Sequence, residues 1–537
     1  MLTSGVMTRS MQAARYPATT PTTADGWRVE RLTPPSRLFG ANGLRPGPDG
    51  RLYIAQVTGS QISALDVDTE EMEIVSAKGG DIIAPDDLAF DGKGNLYATE
   101  YMDGRVSVRE ANGRSRVIRD DLPAANGITM HRGRLFVNEC RDGGRLMELD
   151  LDGGAPRIVL ENLPSPNAME VGPDGFLYYP VMTANEIWRV DPDGGEPQRV
   201  VGELGVPDSV KFDADGFIVS TQVASGQVLR IDPRTGAKAV LAQLNPGLDN
   251  LAFVNGRLFV SNFTGQIAEV LDGGETRDLL PGGFNWPHDL AVGDDGRLYI
   301  ADGTYFYALQ PDGSRETAGM LFSPGYPGYM RGVVATGAGD FLCTTSLGQV
   351  GRYRPGGETE YLATGFDQLY GIAIGPDDTV IFAELGAGRV HSLRAGNTEV
   401  LASGLKEPVG VTFGPTGVPL VAEAGAGRVV RIAGSGAETV VDGLQRPQGI
   451  LVADGALFVV DAGAKEVVAV DLDTGARTTV AAGLPIGAPP GVEPKPLRGI
   501  QPFSGPQGPF AGIAIDRDGT LYVSADGDGS VLALRRA

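Results

Sequence analysis

The sequence predicts an all-β fold, a β-propeller of twelve four-stranded blades, and three observations carry that prediction. The first is composition: 78 glycines in 537 residues, with 42% hydrophobic and 21% charged residues, favour many short strands joined by tight turns. The second is a repeat. Strands of the "LYIA" kind begin near Leu52, Leu96, Leu135, Leu177, Phe217, Leu258, Leu298, Phe341, Ile381, Leu420, Leu457 and Leu521, steps of about 40 residues until the last. The third is the interior of one unit. "LAFDGKGNLYATEYMDGRVSVREANGRSRVI", Leu88 to Ile118, reads as four strands rich in β-branched and aromatic residues, separated by turns containing Gly, Asn or Asp.

Twelve blades exceed the usual ring of about four to eight, so two six-bladed propellers in tandem are expected, with one twelve-bladed ring as the alternative. The expected order is a disordered N-terminal segment at 1–26, a first propeller at 27–273 and a second at 274–537 with a loop insertion at 485–510. The last unit, ending "SVLALRRA", stops after its third strand, while "WRVERLT", Trp27 to Thr33, precedes the first unit as an orphan fourth strand. That strand can complete a blade and remove two exposed edges. With two rings it is expected to complete the sixth unit, and "ETRDLLP", Glu275 to Pro281, the twelfth, which sets the boundary near Asp272 to Gly274.

A formal charge of −22 argues against nucleic acid and anionic membranes as partners, because both need a basic patch. Two cysteines, Cys140 and Cys343, are too few and too far apart for a disulfide framework or a thiolate metal site, and buried thiols are expected. The N-terminal stretch lacks an apolar h-region, and no stretch reaches the roughly 18 apolar residues of a membrane span. The expectation is a soluble, cytoplasmic protein acting on a small molecule.

In a propeller the first strand of each blade lines the central channel, and its first residue stands at the channel mouth. The opposite face carries the stereotyped turns "GPDG", "DADG" and "RDG", which need only turn geometry. In the first six units those first residues are Asn42, Asp86, Asn126, Asn167, Asp208 and Asp249; in the last six they are His288, Arg331, Tyr370, Val409, Gln448 and Ala511. Turn chemistry alone would place the same residues in both halves, so the Asx set points to a site. Three carboxylates and three carboxamides on one axis form an oxygen-rich, anionic funnel suited to Ca²⁺ or another divalent cation. A polar, water-filled channel is the alternative. Zinc or copper would prefer His or Cys, and the only histidines are His131, His288 and His391.

At these positions the first half resembles the gluconolactonase and senescence-marker-protein family. "PNAM", Pro166 to Met169, and "PDSV", Pro207 to Val210, stand in consecutive units, with "NGI", Asn126 to Ile128, one unit earlier. The resemblance implies a propeller that hydrolyses a lactone with Ca²⁺ or a similar ion, with Asn126, Asn167 and Asp208 as metal or substrate ligands. Where that family has a glutamate in the first blade this chain has Asn42, so either the coordination is weaker or another acid, such as Asp86 or Asp249, completes the set. The second half is similar to NHL-type repeats: "AELGAGRV", "AEAGAGRV" and "VDAGAKEV" are near-copies, and their acids Glu384, Glu423 and Asp461 read as hairpin residues.

The expected function is a metal-dependent hydrolase of a lactone or related ester, with Asp208 as general base and Asp86 and Asp249 behind it. Glu100, Asn138 and Glu139 end second strands in the same half and read as strand-end caps that could reach the rim. An alternative places a lyase in the second half, where His288, Asp289, Arg331 and Tyr370 cluster and "NWPHDLAV" resembles streptogramin-lyase-like propellers. A non-enzymatic binding scaffold is the third reading. The step from Leu457 to Leu521 is 64 residues, and its excess, Pro485 to Phe510, could form a lid with the aromatic loops "GGFNWP" and "PGYPGYM", or equally a linker or a contact surface.

Overall fold

The computed structural model describes residues 14–434, 436–495, 497, 508 and 510–537. The chain is an all-β propeller of twelve antiparallel sheets; eleven have four strands and one gains a two-residue fifth strand at Thr22–Thr23. Each sheet runs inner strand, second strand, third strand, outer strand in chain order, with one exception at the last. The second strands are buried on both faces, as in Leu52–Gln56 and Leu96–Glu100, because each blade packs between two others. The outer strands, such as Ser115–Arg119 and Lys238–Gln243, keep a wet face.

The chain divides into two compact units. The first comprises Leu38–Gly283 with Val492–Pro502; the second comprises Met1–Arg37, Phe284–Gly491 and Phe503–Ala537. The first unit holds six sheets, and its sixth packs on its first: Ile267, Phe259 and Leu280 share one apolar cluster with Leu44, Ile54 and Leu65. Ser261 Oγ also donates to Asn42 O across that junction, at 2.7 Å. In the second unit the last sheet meets the sheet of Pro287–Val292, where Ser524 Oγ donates to His288 O at 2.6 Å.

Strand exchange differs from the expectation for two rings. Thr276–Leu280 completes its own sheet against Ile267–Val270, and Trp27–Arg31 pairs with Ser530–Arg536 to complete the last. The reason is local: the short turn at Asp272–Gly274 closes a hairpin at little entropic cost, leaving the open edge of Ser530–Arg536 as the one needing a strand. The segment at 1–26, expected to be disordered, is structured from residue 14. Arg15 is buried and Thr22–Thr23 pairs with Ala481 and Ala482; residues 1–13 lie outside the described residues. The insertion at 485–510 divides as well. Ile486 joins the apolar core of the second unit, whereas Lys495 Nζ donates to Gly80 O at 2.5 Å in the first. Residues 496, 498–507 and 509 of the lid expectation lie outside the described residues.

Candidate functional site

A repeated backbone device shapes the inner strands of the first unit. Ala84, Ala124 and Val206 adopt left-handed φ values of 49°, 58° and 61°, just before the strands Pro85–Phe90, Ala125–His131 and Pro207–Phe212. Pairing with the second strand is then interrupted before Leu88, Ile128 and Val210. Each bulge takes two residues out of the ladder, Asp86 with Asp87, Asn126 with Gly127, Asp208 with Ser209, and such bulges re-aim side chains. Val206 is β-branched, so its conformation costs roughly 1–3 kcal/mol. Asn185 Oδ1 fixes it by accepting the Val206 N–H at 2.9 Å. Gly127 is required on packing grounds: a Cβ there would meet Asn167 O at 2.4 Å.

The structure brings the six Asx residues together. Asp86, Asn126, Asn167, Asp208 and Asp249 are buried, and Asn42 is half-buried. Asn167 Nδ2 donates to Asp208 Oδ2 at 3.0 Å and to Met182 Sδ at 3.0 Å, while Asn167 Oδ1 accepts Ala168 N. Asn42 Nδ2 donates to Asp249 Oδ2 at 2.9 Å. Burial raises all three carboxyls, and they raise one another. Asp86 is pushed up to about 8 by burial and by Asp87. Asp208 is raised by burial, Asp86 and Asp87 against the pull of Asn167 and Lys211. Asp249 is raised by burial, Asp208 and Asp86 against Asn42.

Among the described residues no three His, Cys, Asp or Glu side chains lie close enough to share one metal ion. A cation here would therefore be held by fewer than three carboxylates, with carboxamide oxygens completing its shell. Asn126 supplies such an oxygen, since its buried Oδ1 has no hydrogen-bond partner. Asn42 and Asn167 are each partly engaged: their oxygens already accept Val57 N at 3.1 Å and Ala168 N at 2.7 Å while their nitrogens face Asp249 and Asp208, which leaves one lone pair on each oxygen.

A charged cluster that sequence reasoning missed also lies on the inner strands. Arg45 donates to Glu170 Oε2 at 2.8 Å and stands 3.8 Å from Asp87 Oδ2. Lys211 Nζ lies 3.5 Å from Glu170 Oε2. Asp87 joins several blades, accepting Ile128 N at 3.3 Å and Asn250 Nδ2 at 3.4 Å. Burial would raise Glu170, but Arg45 and Lys211 outweigh it and hold its carboxyl near 2. Arg45, Glu170 and Lys211 each stand three residues after an Asx residue of the tier. A charge recurring at that offset was the available signal.

The strand-end residues are structural. Glu100 accepts Ile83 N and pairs with Arg105. Glu139 pairs with Arg145, and Asn138 Nδ2 donates to Asn167 O at 2.6 Å. Glu384, Glu423 and Asp461 likewise accept backbone N–H groups of Asp367, Lys406 and Gln445.

In the second unit His288 is fully buried and stacks on Trp286 at 5.4 Å. Arg331 lies over the Tyr370 ring at 4.8 Å, and Phe510 packs against Tyr370 at 5.7 Å. The carboxylate of Asp289 accepts Leu290 N and Val333 N, each at 3.0 Å.

No curated protein is a significant match to the chain. Among solved structures it is similar to streptogramin B lyase at 17% identity, covering 51% of this chain and 94% of that one with a TM-score of 0.39. It is similar to a candidate gluconolactonase at 17% identity, covering 48% and 95% with a TM-score of 0.38. A chain of a nidogen/laminin complex matches at 20% identity, covering 41% and 88% with a TM-score of 0.37. Residues 284–305 match the NHL repeat, and residues 129–260, which carry Asn167, Asp208 and Asp249, match the SMP-30/gluconolactonase/LRE-like region.

Proposed function

We propose that the first unit hydrolyses a lactone or related ester of a small molecule at the arc formed by Asn126, Asn167 and Asp208. The observation that carries this reading is the electrostatic coupling of the buried Asp86, Asp208 and Asp249, of which Asp208 and Asp249 lie in the stretch that matches the gluconolactonase-type region. The donor set fits a hard divalent cation such as Ca²⁺. Asn126, Asn167 and Asp208 would hold it, and when bound it would polarise the ester carbonyl.

The remaining work falls to the chain itself. Asp208 takes the proton of the attacking water, and burial together with Asp86 and Asp87 raises its proton affinity above that of an ordinary carboxylate. Asn167 fixes the Asp208 carboxylate through Oδ2. Asp86 and Asp249 are coupled to it electrostatically and are the alternative bases. Arg45 and Lys211 are occupied by Glu170, so neither competes for Asp208 at hydrogen-bonding distance.

The test is metal analysis of the purified protein, with lactone hydrolysis measured before and after chelation. Bound metal, activity lost to chelator and restored by Ca²⁺, and a fall of about a hundredfold or more in Asp208→Ala are expected. Absence of metal, no chelator effect and unchanged activity in Asp208→Ala would overturn the reading in favour of a binding scaffold.

A further inference from the structure

The channel of the second unit differs from that of the first in what fills it. Inner-strand positions that hold Arg45, Glu170 and Lys211 in the first unit hold Ala291, Thr412 and Ala514 among others in the second. Small side chains in place of long ones leave a cavity of about 260 Å³, lined by residues from all six inner strands of that unit together with Phe510. The lining is dominated by valine, isoleucine, leucine, alanine and glycine, and Asp289 is its one ionisable residue, its carboxyl raised by burial to about 7 and so ready to ionise beside a cation.

Two physical facts make this more than a packing defect. The channel is open to solvent, so a ligand can enter it, and apolar side chains from six strands offer that ligand contacts on every side. The charged residue is also fixed. Asp289 Oδ1 accepts Leu290 N and Oδ2 accepts Val333 N, so the carboxylate is clamped to two neighbouring inner strands. Each oxygen keeps a lone pair for a further donor. A clamped carboxylate on an apolar wall is complementary to a cationic head on an apolar tail.

We propose that the second unit binds a small amine with an apolar body in this channel, the ammonium on Asp289 and the tail against Val333, Ile372, Val411 and Ile450. Since a cavity of about 150 Å³ accommodates benzene, one of this size takes a ligand of roughly ten non-hydrogen atoms.

Phenethylamine and 2-phenylethyl alcohol, equal in size and differing in charge, are the probes, titrated calorimetrically into the full-length protein. Saturable binding of the amine is expected, with the alcohol about tenfold weaker for want of the charge-assisted hydrogen bond. Asp289→Asn should bring the two probes to equal affinity. Ala373→Phe, which fills the channel from another strand, should abolish both. Binding of neither probe, or equal binding of both to the unaltered protein, would overturn the proposal. So would amine binding that survives Ala373→Phe, since it would then belong to the acidic mouth of the first unit.

Discussion

Asn167 Nδ2 stands 3.0 Å from Asp208 Oδ2, joining two consecutive blades at the starts of their inner segments through one donor and one acceptor. The pair is neutral on one side only because Asn167 is an amide. Asn167→Asp would set two carboxylates at hydrogen-bonding distance in a buried place, where like charges raise each other steeply. In chelator the variant should lose about 2–4 kcal/mol, a fall of roughly 5–10 °C in the melting of a unit this size. Added Ca²⁺ should restore most of it, because a cation between the carboxylates turns repulsion into ligation. Calorimetric melts with and without Ca²⁺ decide the point, and a calcium-independent variant would show that the tier does not gather around a cation.

Glu170 gives an acid-side test. Its carboxyl is held near 2 in the fold by Arg45 and Lys211 despite burial, against an ordinary value of 4.5. A depressed carboxyl stabilises the fold above its unfolded value, and that stabilisation is lost as pH falls toward the folded one. Glu170→Gln should therefore cost about 3 kcal/mol at pH 7, slightly discounted because the side chain is 22% exposed. The gap from wild type should narrow as pH falls from 4.5 toward 2. Urea unfolding at pH 7, 4 and 3 measures it, and a gap that stays constant with pH would mean that Glu170 contributes shape and not charge.

The repeat made the blades legible, because a period near 40 residues and the Gly/Asp turns are local signals. The tier was legible for a related reason: Asn126, Asn167 and Asp208 stand about nine or ten residues before Leu135, Leu177 and Ile218 of their second strands. What escaped was non-local. Nothing near Trp27 says that it pairs with Arg536, and the partner of Thr276–Leu280 follows from hairpin entropy, not pattern. The ion cluster escaped because Asp87 sits in a bulge, where alternation no longer tells which side chain faces inward. Asn42 escaped because amide orientation depends on Val57 N and Asp249, both distant in sequence.

Glu100 separates bracing from catalysis. Its buried carboxylate serves Ile83 N, Arg105 and Ser107, and burial raises it against those partners. Glu100→Gln breaks a buried ion pair, and a loss of about 3 kcal/mol in unfolding free energy is expected. Lactone hydrolysis per folded molecule should stay within about twofold of wild type, since the side chain faces its own hairpin and loop. A normal melting profile with activity down a hundredfold would instead move Glu100 into the catalytic set.

Arg15 tests the docking of the N-terminal segment. Its guanidinium is buried and donates to Phe284 O at 3.2 Å, Asn285 O at 2.5 Å, Gly527 O at 3.3 Å and to Asp526 O. Burial pulls it down to about 10 against the opposing pull of Asp528 and Asp526, so it stays charged at neutral pH. These carbonyls belong to the loops where the last sheet of the second unit meets the sheet of Pro287–Val292, so one side chain ties the ends of the chain path together. Arg15→Ala leaves buried carbonyls without donors and should lower stability by about 3 kcal/mol. Arg15→Lys should recover about half, because an ammonium offers three donors from a point and not a planar fork. Removing residues 14–31 should go further, exposing the edge of Ser530–Arg536 and producing aggregation detectable by light scattering. If Arg15→Ala unfolds in urea within about 0.5 kcal/mol of wild type, the segment is not docked in solution.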